Sequence, residues 1–311
     1  MAPLDPDIAN MLDASAASVV DLTTSINLAE IRNAYRERYR SRSLARPPGI
    51  GSEDMLADGV PIRVYTPQQA QGPLPLIVYL HGGGFVLGDV EAYDRQNAYL
   101  AHAANSILAF VDYRLAPEHP FPAAFHDVHT ALDWIDANPA RIGSSADRIY
   151  LAGDSAGGNL AVNAALTSPG RYKQLFLFYP WLDFRPYLGG PSYDSVERFG
   201  EGYGLQTELM CWFSDQYCAR PGMADDPRVS PILASGLDGL PPVYIAAPAY
   251  DPLKDAARAF AEALKRQSIP TTYREFDGLI HNFLGHAGVS ETARCALDEI
   301  SKTVRDRIHS T

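Results

Sequence analysis

From about residue 60 the chain alternates short apolar runs with stretches whose apolar positions recur three and four residues apart. Leu74–Leu80 (LPLIVYL) is continuously apolar and predicts a strand buried on both faces. Pro61–Tyr65 alternates apolar and polar positions, and Ser106–Val111, Arg148–Ala152, Gln174–Phe178, Pro242–Ala247 and Thr271–Phe276 also read as extended. Helices are predicted over Glu91–Ala104, Ala123–Ala137 with Trp134 and Ile135 inward, Ser155–Leu166, Lys254–Arg266 and Val289–Ile308. Such alternation implies an α/β fold, a mostly parallel central sheet flanked by helices on both faces.

Two stretches break the rhythm. Residues 1–45 read as helical, with Ile26, Leu28, Ile31 and Tyr35 spaced for one apolar face. They carry a basic run, Arg32, Arg36, Arg38, Arg40, Arg42 and Arg46, but the interleaved Glu30 and Glu37 favour a solvated helix face over a membrane or acidic-partner surface. RPPGIGS (46–52) then reads as a linker. Residues 181–222 are rich in Tyr, Trp, Gly and Pro, and there only Thr207–Tyr217 reads clearly as a helix. This excursion and the N-terminal helices suit a lid over a catalytic domain made of residues 46–180 and 223–311.

Composition narrows the options. The 311 residues include 26 Lys plus Arg and 37 Asp plus Glu, so the net charge is 26 − 37 = −11 with histidine neutral. With 46% apolar and 10% aromatic residues the chain can bury a sizeable core. Net acidity argues against a nucleic-acid partner, which would require a cationic face. The opening MAPLDPDIANML lacks a basic cluster and does not read as a signal peptide, and no apolar run reaches the ~18 residues that span a bilayer. Cys211, Cys218 and Cys295 form neither a C-x-x-C pair nor an even set, which suits idle thiols in a reducing cytoplasm. No metal site is expected: His126 and His129 form H-D-x-H on a predicted helix, lack a third ligand, and read as surface residues.

The chemistry concentrates in two glycine-rich turns. GDSAGG (Gly153–Gly158) contains G-x-S-x-G between an extended RIYLA and a helix-like NLAVNAAL. A serine on so sharp a turn holds its Oγ clear of the sheet, with the helix N-terminus behind it. HGGGF (His81–Phe85) follows a buried strand directly. It fails G-x-G-x-x-G, because Leu87 occupies the third position, and no G-K-[ST] follows. The N–H groups of Gly83 and Gly84, with that of Ala156, suit an oxyanion hole; His81, Gly82 and Asp154 complete the two motifs.

A serine nucleophile needs a base, and the base an orienting acid, in the chain order Ser, Asp or Glu, His. After Ser155 come only His281, His286 and His309. His281, in FDGLIHNF just past a predicted strand, is the first choice, and His286 the fallback. Among the acids, with Asp255 and Asp277 close by, Asp251 in AAPAYDPLKD is favoured by its place at a strand end, although it could also cap the helix near Lys254.

HGGGF, YRLAPEHPFPAA (Tyr113–Ala124), GDSAGGN, YPWLDF (Tyr179–Phe184), YDPLKD and GLIHNF, in this order, resemble the hormone-sensitive-lipase-like esterases, bacterial family IV. The resemblance covers nearly the whole chain from about Pro61. It implies an α/β-hydrolase fold with a helical cap from residues 1–45 and 181–222, Ser155 as nucleophile, His281 as base and Asp251 as its orienter. Gly83, Gly84 and Ala156 would line the oxyanion hole. The family often has an acidic residue where Ala256 stands, and a glycine where Asn282 follows His281. The activity implied is hydrolysis of short- to medium-chain carboxylic esters through an acyl-enzyme, without cofactor or metal. Phe85, Leu205, Met210, Phe213 and Ile280 are candidates to shape a modest acyl pocket, with cap packing the competing role. The same machinery serves lactones, amides or N-acetyl groups, and some relatives bind ligands without turnover but lack the histidine. Family members often dimerise; the edge near Thr271–Phe276 is the contact a homodimer would use.

Overall fold

The computed structural model describes residues 2–15, 27–68 and 73–310, so Ile26 of the expected apolar face lies outside the described residues. Its centre is an eight-stranded sheet in the order β1-β2-β4-β3-β5-β6-β7-β8. The strands are β1 (Ile50–Ala57), β2 (Val60–Pro67), β3 (Leu74–Leu80), β4 (Ile107–Val111), β5 (Ser144–Asp154), β6 (Leu175–Phe178), β7 (Val243–Tyr250) and β8 (Thr271–Ile280). β1 pairs antiparallel with β2, and β2 antiparallel with β4; the remaining neighbours run parallel.

The helices are α1 (Pro6–Ser15), α2 (Leu28–Arg42), α3 (Val90–Ala104), α4 (Ala123–Ala137), α5 (Pro139–Ile142), α6 (Ala156–Thr167), α7 (Asp194–Phe199), α8 (Thr207–Tyr217), α9 (Lys254–Arg266) and α10 (Glu291–His309). Every side chain of β3 is buried, and its alternation divides them between two cores. Leu76, Val78 and Leu80 pack with residues of α4, α6 and α9, while Ile77 and Tyr79 pack with residues of α3 and α10. Full burial of a large apolar side chain is worth about 1.5–3 kcal/mol, so this double coverage anchors the turns at the strand ends.

Two expectations need correction. Residues 46–52 do not form a free linker, because β1 begins at Ile50. β1 is an outer strand with mostly exposed side chains, so its sequence lacks an apolar signature. The signal was in the turn: Asp58 and Gly59 both have positive φ, and Asp-Gly is the pair that such hairpin turns favour. Nor is the basic run of α2 wholly solvated. Arg32 bonds the carbonyls of Val86 and Ala116 and pairs with Glu118, Arg36 pairs with Asp89, and, just past the helix, Arg46 pairs with Asp94. These contacts dock α2 on the sheet-bearing body.

Candidate active site

Four loops, after β3, β5, β7 and β8, meet here at the carboxyl ends of parallel strands. β5 ends at Asp154 and α6 begins at Ala156, leaving Ser155 alone on the turn with φ 50° and ψ −117°. Such a backbone is strained for a residue with a side chain, and persists only where its surroundings fix it. Ser155 N–H donates to Phe178 O at 2.9 Å, and Ser155 O accepts from Trp181 N–H at 3.0 Å and Gly158 N–H at 3.1 Å. Crowding around this turn explains its glycines: a Cβ on Gly157 would collide with the Leu80 carbonyl, and one on Gly153 with the Gly157 backbone.

His281 follows the last residue of β8 and stands 3.1 Å (Nε2) from Ser155 Oγ; its Nδ1 lies 2.8 Å from Asp251 Oδ2. Asp251, one residue past β7, is fully buried. Its Oδ1 also accepts from Leu253 N–H at 2.8 Å and its carbonyl from Lys254 N–H, so it holds the entry to α9 and faces His281 together. Asp255 is engaged elsewhere, accepting from Ser195 N–H, and Asp277 is exposed. His286 is buried in the 3₁₀ turn Phe283–His286 and lines the same cavity.

The HGGGF loop follows β3. Gly83 and Gly84 have φ of 114° and 64°, and their N–H groups have no acceptor among the described residues. Ala156 opens α6, so its N–H also lacks a partner within the helix. His81 stacks between Phe110 and Tyr113, with Nδ1 2.7 Å from Gly82 O. Burial pushes its pKa down to about 4, so the ring is neutral and Nδ1 donates. Asp154 accepts from Tyr79, Tyr93 and Gly82 N–H; burial, partly offset by these bonds, pushes its pKa up to about 6.

A cavity of about 460 Å³ opens onto Ser155, His281, Gly83 and Gly84. Leu205, Met210, Phe213 and Ile280 line it, beside Leu87, Leu209 and Trp212. Phe85 is not among the lining residues: its ring is fully buried, stacked on Tyr217 at 3.8 Å. Of the two roles weighed for this aromatic residue, pocket or packing, the ring takes packing. Unanticipated in the lining are Met11 and Leu12 of α1, Tyr35, Arg38 and Arg42 of α2, and Trp181. The helical periodicity of residues 1–45 located these helices but could not say which face meets the cavity. His126 is exposed and His129 half-buried, and neither belongs to a possible metal-binding cluster among the described residues.

The family model for the alpha/beta hydrolase fold matches residues 77–285. The chain is similar to Esterase LipI of Mycobacterium tuberculosis, 33% identical over 287 residues that cover 88% of each protein. It is 31% identical over 308 residues to an arylesterase of Saccharolobus solfataricus, covering 97% of this chain and 99% of that one. The solved structure of a hyperthermophilic esterase from the archaeon Pyrobaculum calidifontis superposes with a TM-score of 0.89 at 32% identity, covering 98% and 99% of the two chains. With its strand order, its glycine-lined turns and these relatives in agreement, the chain belongs to the alpha/beta hydrolase fold family, in its hormone-sensitive-lipase-like esterase branch.

Proposed function

We propose that this carboxylesterase cleaves short- to medium-chain esters through an acyl-enzyme formed on Ser155. The observation that carries the reading is the continuous contact of Ser155 Oγ with His281 Nε2 at 3.1 Å and of His281 Nδ1 with Asp251 at 2.8 Å. His281 takes the hydroxyl proton as Oγ attacks the ester carbonyl. Asp251 fixes the proton of the neutral ring on Nδ1, leaving Nε2 as acceptor, and stabilises the imidazolium that forms. The N–H groups of Gly83, Gly84 and Ala156 receive the oxyanion, a contribution of about 3 kcal/mol per donor. The imidazolium then donates to the leaving alcohol, and water repeats the sequence on the acyl-enzyme.

The apolar lining, Leu205, Leu209, Met210 and Phe213, supports an acyl chain of modest length. Ser155→Ala is expected to abolish hydrolysis of p-nitrophenyl butyrate while leaving the fold intact by circular dichroism; retained turnover would overturn the assignment. In a chain-length series, a preference for long acyl groups would count against the pocket reading.

Three finer readings accompany it. Residues 2–15, 27–45 and 181–222 act as the cap, which the docking of α2 and the position of α1, α2 and α8 in the cavity wall support. β8, at one edge of the sheet, is the contact for a homodimer, and sedimentation equilibrium decides it. The three free thiols favour the cytoplasm, and among the described residues no helix is long and apolar enough to cross a membrane.

A further inference from the structure

Beneath the oxyanion loop two consecutive peptide planes are pinned, the first at both ends and the second at its carbonyl. The first holds His81 O, which accepts from Tyr113 O–H at 2.6 Å, and Gly82 N–H, which donates to Tyr93 Oη at 3.1 Å and Asp154 Oδ1 at 3.0 Å. The second holds Gly82 O, bonded by His81 Nδ1, and the N–H of Gly83. Peptide planarity means that fixing one end of each plane fixes the other, so these bonds aim the Gly83 N–H.

The hydroxyl of Tyr93 is fully used. It donates its one proton to Asp154 Oδ2 at 3.0 Å, so in its contact with Tyr35 Oη at 3.2 Å it is the acceptor and Tyr35 the donor. A parallel route runs from Tyr39 O–H to Gln96 Oε1 (2.6 Å), from Gln96 Nε2 to Tyr79 Oη (2.8 Å), and from Tyr79 O–H to Asp154 Oδ1 (2.9 Å). Tyr35 and Tyr39 both belong to α2, whereas Tyr79, Tyr93 and Asp154 lie fully buried in the body. Both routes deliver their protons toward one carboxylate.

We propose that Tyr93 is a positioning residue for the oxyanion donors, and that through Tyr35 it makes their alignment depend on α2 being docked. This rests on the reading of Gly83, Gly84 and Ala156 as the oxyanion hole. A loop aimed this way acts on the transition state, where the carbonyl oxygen gains charge, and leaves ground-state binding almost untouched. Loss of the Tyr35 bond therefore lowers the rate through the alignment of the donors, apart from the share of the cavity wall that α2 also forms.

The test uses Tyr93→Phe and Tyr35→Phe in the full chain, each removing one oxygen and keeping the ring. With p-nitrophenyl butyrate, kcat is expected to fall tenfold or more for Tyr93→Phe and two- to fivefold for Tyr35→Phe, with KM within twofold of the parent. Amide hydrogen exchange over residues 82–88 is expected to quicken in both variants while α10 keeps its protection. A raised KM with intact kcat, or unchanged exchange over 82–88, overturns the proposal. Should Tyr93→Phe fail to fold, Tyr35→Phe on the half-buried outer side gives the same two readouts. Ser155→Ala separates the underlying reading: if it retains turnover, the assigned hole is wrong, yet the exchange data still decide whether Tyr93 holds the loop.

Discussion

At the scale of single residues, the site is a set of side chains whose freedom has been removed. Asp251 shows how: one oxygen faces His281 and the other takes the Leu253 N–H, so the carboxylate cannot rotate away. Asp251→Asn keeps the shape and loses the charge that, in the proposed scheme, stabilises the imidazolium. It also lets the amide group face Nδ1 and favour the wrong tautomer. A fall in kcat on the order of 10⁴-fold is expected, with little change in melting temperature, read by steady-state kinetics and calorimetry. Chemistry of this kind was legible in the sequence because it needs particular residue types at particular turns. Ser155, His281 and Asp251 were each singled out by a motif or a strand end, and the fold brings them into contact. Tyr93 and Tyr35 were not, since a tyrosine on a predicted helix looks the same whether it packs, bonds a carboxylate or faces water.

At the scale of elements, hydrophobic period located what is buried on both faces and missed what is not. β3, α4, α8 and α9 run over the residues anticipated, because full burial or a clear polar face leaves a pattern. β1 was missed for want of apolar positions, and β8 extends four residues beyond Phe276, to Ile280, carrying the chain up to His281. The junction of β5 and α6 is the least tolerant element of all. Gly157 abuts the Leu80 backbone, which has no flexible end to move aside. Gly157→Ala is expected to destabilise the protein by about 3 kcal/mol or more, or to prevent folding, as seen in urea unfolding midpoints and soluble yield. A midpoint shift equivalent to less than 1 kcal/mol would show that the strand and helix can separate more easily than their packing indicates.

At the scale of the whole molecule, buried titratable groups couple stability to pH. Burial, with the nearby positive charge of Arg42 and Arg38, pushes His286 down to about 3. An unfolded chain protonates the same imidazole near pH ~6.5, so below that value it binds a proton that the fold refuses. Stability from this group therefore declines as pH falls from about 6.5 toward 3, at about 1.4 kcal/mol per unit. His81 acts in the same direction down to about pH 4. Asp154 and Asp112, pushed up to about 6 by burial, act oppositely, because the fold keeps protons that the unfolded chain releases. His286→Gln is thus expected to gain on the parent by about 1.4 kcal/mol for each unit between pH 6.5 and 4; parallel urea curves at pH 7, 6 and 5 would refute it.

One stitch connects distant ends of the polypeptide. Asp5 accepts from Ser290 Oγ at 3.1 Å and from Thr292 Oγ1 at 2.6 Å, its N–H donates to Gly278 O, and Tyr250 O–H reaches Ala2 O. α1, which follows Asp5, supplies Met11 and Leu12 to the cavity wall. During synthesis on the ribosome, this part of the wall waits for a segment made 285 residues later before it has anywhere to sit. A nascent chain can thus bring Ser155 and His281 together only once residue 281 has emerged, and the chamber around them is then finished by residues that left the tunnel long before.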